Sequence, residues 1–180
     1  MTQKYATFLI DPPWNETGGG KIKRGADKHY PLLKTKQIVP TIMSSGLFNP
    51  EDNAHLYLWT TSNFLPDALK VMLDLGFEYK TNIIWAKKKI GIGRYFRGKH
   101  EQILFGTRGR GWDVRTDLNN IPSLIEADHV RLNGKIVHSA KPDAFYELIE
   151  NRSYGPYVEF FARRNRKNWT AWGNELKSPP

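Results

Sequence analysis

Ala6–Ile10 (ATFLI) is a short apolar run cut off by Asp11-Pro12-Pro13. Proline has no backbone N–H and a fixed φ, so a sheet strand does not continue through two of them. The run reads as a buried strand with a sharply defined end and an acidic residue just beyond it. Four further segments read as strands: His55–Thr61 (HLYLWTT), Thr81–Ala86 (TNIIWA), Gln102–Thr107 (QILFGT) and Tyr157–Ala162 (YVEFFA). Trp169–Trp172 follows as a last one. Between the second and third strands the spacing predicts a helix. Ser62 or Asn63 caps it, Pro66 lies in its first turn, and Leu65, Ala68, Leu69, Met72 and Leu73 form its apolar face. Gly76 ends it. Pro142 opens a second helix with Phe145, Leu148 and Ile149 inward. Strands alternating with capped helices predict an α/β fold. Ligands of open α/β sheets collect beyond the carboxyl ends of the strands, here just after Ile10, Thr60, Ala86 and Ala162.

Composition narrows the setting. The 180 residues suit a single domain over 1–180. Hydrophobic residues make up 39%, with six Trp, which excludes a disordered chain. The absence of cysteine removes disulfides, thiolate zinc sites and cysteine nucleophiles. No apolar run approaches the roughly 18–20 residues that cross a bilayer, and the N-terminus does not read as a signal peptide. The 27 Lys+Arg against 18 Asp+Glu leave +9. That excess serves solubility or a polyanionic partner. Much of it lies in Lys87–Lys99 (KKKIGIGRYFRGK), expected to be a mobile loop, in which six basic residues surround Tyr95 and Phe96. Basic residues interleaved with aromatics suit a nucleic-acid strand, with phosphates neutralised and bases stacked. Gly18–Gly25 and Gly109–Asn120 also read as loops. The histidines at 29, 55, 100, 129 and 138 lack metal-ligand spacing, so no metal is expected.

Asp11-Pro12-Pro13-Trp14 is the strongest motif. A solvent-facing Asp and a core Trp would be its plain structural reading. Its position at the end of a strand gives it a chemical use as well. The exocyclic amine of a nucleobase is a weak nucleophile because its lone pair is delocalised into the ring. A carboxylate and a main-chain carbonyl that accept hydrogen bonds from the amine stabilise the positive charge that grows as nitrogen attacks an electrophile. Asp11 supplies the first acceptor, and the carbonyl of Pro12, stiffened by the two rings, supplies the second. Trp14 offers a face on which a base stacks. No strong base is needed, because the proton leaves after the new bond has formed.

The tetrapeptide resembles the hallmark of the MT-A70 family of adenine-N6 methyltransferases, and the resemblance covers nearly the whole chain. His55–Thr61 with the helix after it, Asn82–Lys87 (NIIWAK) and Gly98–Gly109 (GKHEQILFGTRG) are similar to family segments, in the family order. So are His138-Ser139-Ala140-Lys141-Pro142-Asp143, Glu159–Arg163 (EFFAR) and Gly173-Asn174-Glu175. Asp128–Ile136 reads as an insertion before the Lys-Pro segment.

This resemblance implies a Rossmann-like class I methyltransferase fold, a mostly parallel twisted sheet flanked by helices, with the motif order permuted. It implies S-adenosyl-L-methionine as methyl donor. Lys141 falls where the family meets the methionine end, Glu159, Phe160 and Arg163 on the ribose-binding strand, and Asn165, Asn174 and Glu175 near the ribose and adenine. A carboxylate suits two ribose hydroxyls, and a lysine suits the cofactor carboxylate. Lys28-His29-Tyr30-Pro31 resembles the family's gate over the target base, and Arg94, Tyr95, Lys99 and His100 join His29 and Tyr30 as substrate contacts. The implied reaction is methyl transfer to N6 of adenine in DNA, with the base flipped out or presented on a single strand. An RNA adenine-N6 methyltransferase and a catalytically silent nucleic-acid-binding member are the alternatives. The implied setting is the cytoplasm of a bacterial or phage-infected cell, without a membrane, and homodimerisation is plausible.

Overall fold

β1 (Tyr5–Ile10) stops where the two prolines require it to. In the computed structural model, which describes residues 2–15, 32–91, 95–110, 120–132, 135–137, 140–174 and 176, it is followed by α1 (Thr35–Ser44) and β2 (Pro50–Thr60). A 3-10 turn (Ser62–Phe64) leads into α2 (Leu65–Asp74), β3 (Glu78–Ala86), β4 (His100–Arg108) and β5 (Leu124–Glu126). β6 (Arg131–Leu132), β7 (Lys135–Ile136), α3 (Asp143–Arg152), β8 (Tyr157–Phe160) and β9 (Trp169–Trp172) complete the order.

Among the described residues one seven-stranded sheet runs β5-β3-β4-β2-β1-β8-β9, and β6 and β7 pair separately. β1–β2, β1–β8, β8–β9 and β3–β5 are parallel, whereas β4 runs antiparallel to both β2 and β3. The reversed direction of β4 has a functional consequence. Its first residues, His100 and Glu101, lie opposite Ala86 and Trp85, at the edge where the parallel strands end.

Successive side chains of a strand face opposite sides of the sheet. On one side Phe8, Ile10, Leu56, Leu58 and Leu104 pack against Ile38 and Ile42 of α1 and Ala68, Val71 and Met72 of α2. On the other, Leu9, Tyr57, Trp59 and Ile103 pack against Phe145, Tyr146, Leu148 and Ile149 of α3. Phe8 is fully buried, with the rings of Phe48, Phe77 and Phe160 centred 5.1, 5.8 and 6.4 Å away. Burying such a side chain stabilises the fold by about 1.5–3 kcal/mol. This mostly parallel sheet, covered by helices on both faces, is the Rossmann-like methyltransferase architecture. No helix among the described residues is long and apolar enough to cross a membrane.

The local differences from expectation have physical causes. α2 buries Ala68, Val71 and Met72 but leaves Leu69 38% and Leu73 71% exposed, so its apolar stripe is turned from the expected one. Neither Ser62 nor Asn63 caps α2: the two residues form the 3-10 turn, and Phe64 takes the N-cap position with no side-chain hydrogen bond. Gly76 does end the helix, with φ +81. β8 stops at Phe160 because Phe161 turns to φ 62. The described ends of the 87–99 loop carry main-chain hydrogen bonds, Lys87 N–H to Lys99 O at 2.8 Å and Gly91 N–H to Gly98 O at 2.6 Å. They extend the β3–β4 hairpin. Of the other expected loops, 18–25 and most of 109–120 lie outside the described residues.

Candidate active site

The Asp11–Trp14 segment is hydrogen-bonded to three other parts of the chain and folds back once on itself. Asp11 N–H donates to Phe160 O at 3.3 Å, and Leu33 N–H donates to Pro13 O at 2.8 Å. Trp14 N–H folds back onto Pro12 O at 2.8 Å, and the indole Nε1–H donates to Trp59 O at 3.0 Å. The open indole face expected at Trp14 is absent. Trp14 is 6% exposed and lies against Phe64, with ring centroids 5.4 Å apart and 21° between planes. The indole anchors the turn to β2 and to the start of α2. Pro12 O already accepts one hydrogen bond, but a carbonyl has two lone pairs and keeps capacity for another.

Next to Asp11 lies a row of alternating charges. Lys141, just before α3, places its Nζ 3.0 Å from Asp11 Oδ2 and 3.3 Å from Glu101 Oε2. The other oxygen of Glu101 takes a short ion pair from Lys87, the residue after β3. The row therefore runs Asp11, Lys141, Glu101, Lys87, across the carboxyl ends of β1 and β3 and the start of β4. Two indoles support its cations, Trp59 with its ring centre 4.8 Å from Lys141 Nζ and Trp85 4.7 Å from Lys87 Nζ. Burial acts to raise the Glu101 pKa, but Lys141 and Lys87 outweigh it and hold the carboxyl at about 2. Burial acts to lower the pKa of Lys141, and Asp11 and Glu101 reverse this and raise it. Glu101 and Lys141 are thus both charged at neutral pH.

A second cluster lies where β8 faces α3. Glu159 is 5% exposed, and Tyr146 Oη–H donates to its Oε1 at 2.8 Å. Burial, aided by the nearby Asp11 charge, raises the Glu159 pKa to about 7 against the opposing Tyr146 hydrogen bond. Burial and the Glu159 charge push the Tyr146 phenol upward as well. Arg166 lies over the Tyr146 ring at 4.5 Å and reaches Asp143 Oδ1 at 2.7 Å and Glu150 Oε1 at 3.4 Å. Arg164 also meets the Tyr146 ring and forms a short ion pair with Asp143. The 163–168 segment is thereby fastened to α3.

The other expected contacts are distributed unevenly. Phe160 does not reach the site with its side chain; its ring is fully buried between Phe8 and Trp172 because it faces the α1/α2 side, and only its carbonyl meets Asp11. Arg163 is half-buried close enough to Lys141 to oppose its charge, while Asn165 and Asn174 are exposed. Tyr95 and Lys99 are exposed on the hairpin. His100 is exposed and its Nε2 lies 3.3 Å from Ser62 Oγ. His29, Tyr30, Arg94 and Glu175 lie outside the described residues. Glu101, Lys87 and Trp59 lie in segments that resemble the family but were given no role in the site, and Tyr146 was not singled out. Strand alternation could have pointed to Glu101, because in β4 it faces the side opposite to its neighbour His100.

The residues present suit a cofactor with a carboxylate and a ribose. An ammonium has three donors, so Lys141 keeps one beyond its two carboxylates. Thr61 Oγ1, just past β2, is buried with no hydrogen-bond partner among the described residues. A cleft of about 510 Å³ lined by Lys4, Asp52, Asn53, His55 and Tyr154 opens at the other edge of the sheet and contains none of the charge row.

Comparison with known proteins agrees with this geometry. The chain is 29% identical to the Type II methyltransferase M.MunI of Mycoplasma sp, over 97% of its own length and 78% of that protein's. The MT-A70 family model matches residues 5–175, from the first residue of β1 to the residue that follows Gly173-Asn174. With its sheet, its Asp-Pro-Pro-Trp turn and nearly its whole length accounted for in this way, the chain belongs to the MT-A70 family.

Proposed function

We propose that this protein is an S-adenosyl-L-methionine-dependent DNA methyltransferase that acts on N6 of adenine. The observation that carries the reading is the Asp11 carboxylate, held by Lys141 at the end of β1 beside a rigid Pro-Pro turn. When bound, S-adenosylmethionine supplies a methyl group on a sulfonium as the electrophile. Lys141 holds its carboxylate with the remaining donor, and Glu159 accepts hydrogen bonds from ribose hydroxyls; Arg163, Asn165 and Asn174 are the further cofactor contacts that the family resemblance assigns.

Asp11 performs the chemical work on the substrate side. Each carboxylate oxygen accepts more than one hydrogen bond, so Asp11 binds the adenine amine while still paired with Lys141. Together with Pro12 O it draws positive charge onto the nitrogen in the transition state. Its anchored backbone needs little reorganisation, and positioning of the two reactants supplies much of the rate. The N–CH3 bond would form as the sulfonium S–CH3 bond breaks, leaving a neutral thioether, and the extra proton then passes from the methylated nitrogen to solvent water. The Type II methyltransferase relative and the +9 charge support DNA as the partner.

The test is transfer of a tritiated methyl group to duplex DNA, single-stranded DNA and RNA. Incorporation into DNA that Asp11→Ala abolishes, with cofactor binding kept, is the expected result. Incorporation into RNA alone overturns the DNA reading, and full activity of Asp11→Ala overturns the assigned chemistry.

A further inference from the structure

We infer that the β3–β4 hairpin is a duplex wedge, in which Tyr95 and Phe96 enter the DNA stack beside the target adenine and fill the gap it leaves when it swings out. The inference rests on the proposed DNA-methylating function and adds how the base is extruded.

Tyr95 is 87% and Phe96 90% exposed, more than any other large hydrophobic residue described. Single exposed apolar residues are ordinary, but two adjacent aromatics in water are a binding surface without its partner. The chemistry around them identifies that partner. Lys88, Lys89, Arg97 and Lys99 are all exposed on the same hairpin, with Arg97 Nε–H bonded to Gly91 O. A basic rim around an apolar tip fits phosphates flanking an opened base step.

The described base of the hairpin is held by main-chain hydrogen bonds. Beyond the Lys87–Lys99 hydrogen bond the regular register would pair residue 88 with 98, but Gly91 takes that place and 88–90 loop out. Gly91 must be glycine for this approach, since a Cβ there would lie 2.9 Å from Gly98 O. Lys88 ties the looped segment to Asp128 at 2.9 Å.

The root of the hairpin is part of the active site. Lys87 and Glu101, where it begins and ends, are two members of the charge row that reaches Asp11. Phe96 is five residues before Glu101, a span of at most about 17 Å along the chain. The tip is therefore tethered within that distance of the charge row. An extruded base leaves its neighbours unstacked, and inserted apolar side chains are an established way of offsetting that cost.

The experiment compares the wild type with Tyr95→Ala, Phe96→Ala and the double variant on three substrates: a matched duplex, the same duplex with the base opposite the target removed, and the target strand alone. Methyl transfer is measured on each, and 2-aminopurine at the target position reports extrusion. The double variant should lose about ten- to hundredfold on the matched duplex, the range seen for base-stacking aromatics. The 2-aminopurine signal should fall with it, and most of the loss should be recovered on the other two substrates. Unchanged melting of these surface variants would show that folding is intact. Equal loss on all three substrates, or no loss on the matched duplex, overturns the wedge while leaving the enzyme reading in place. A wild type that methylates no DNA in any form overturns both.

Discussion

Glu101 is the keystone of the charge row, and its removal has a calculable effect. Its carboxyl falls from an ordinary 4.5 to about 2 between Lys141 and Lys87. At about 1.4 kcal/mol for each pH unit, this amounts to about 3 kcal/mol favouring the charged form in the folded protein. A fifth of the side chain meets solvent, so screening reduces it to about 2 kcal/mol. The folded-state pKa lies below the unfolded one. The stabilisation is therefore complete above pH 4.5 and is lost as pH falls toward 2. Glu101→Gln keeps the shape and removes the charge. Urea unfolding at pH 7 should show a loss of about 2 kcal/mol with an unchanged slope, and between pH 4.5 and 2 the variant should lose less stability than the wild type. A double-mutant cycle with Lys87→Met should give a coupling of about 1 kcal/mol or more, as for other contacting charges. Additivity within about 0.3 kcal/mol, or equal pH slopes, would refute the assigned electrostatics.

Three further outcomes follow from the same geometry. Burial raises the Glu159 pKa to about 7, so the folded state holds a proton there that the unfolded state releases between pH 4.5 and 7, and stability falls across that window. Glu159→Gln should therefore be more stable than wild type in urea unfolding at pH 8, by about 1–3 kcal/mol, while binding S-adenosylhomocysteine more weakly; lower stability at pH 8 contradicts this. Trp14→Phe strips the buried Trp59 carbonyl of its indole donor and should cost about 1–3 kcal/mol in urea unfolding, and a neutral result would mean the turn is not anchored there. Arg166→Gln releases the 163–168 segment from Asp143 and Glu150. It should weaken cofactor binding severalfold in calorimetry and expose the segment to limited proteolysis, and intact protection would show that the clamp is dispensable.

Much of the fold was legible because its strands are short apolar runs with proline, asparagine or glycine at their ends. β1, β3, β4, β8 and β9 were all anticipated from such runs. α1 escaped notice because Pro40 interrupts it and only Ile38 and Ile42 are buried. β5, β6 and β7 have two or three residues each, too few to show a period. In α2 the surface residues Leu69 and Leu73 are as apolar as the buried ones, so spacing alone chose the wrong stripe. The site followed a similar rule. Asp11 and Lys141 carry local motifs, and the fold brings them together. Glu101 lies in the Gly98–Gly109 segment that resembles the family, but its pairing with Lys141 and Lys87 depends on β4 running against its neighbours, a long-range choice invisible in the residues around it. Trp14 was misjudged for the same reason: Phe64 and the Trp59 carbonyl that bury it come from segments some fifty residues away.

In the proposed reaction Asp11, beside Lys141, directs a methyl group onto the adenine amine of DNA. Nucleoside mass spectrometry of DNA from cells expressing the wild type or Asp11→Ala tests it most directly. N6-methyladenine that accumulates with the wild type and is absent with the variant is the expected result. Methyl groups on cytosine, or N6-methyladenine that persists with Asp11→Ala in a host otherwise lacking it, would contradict the claim.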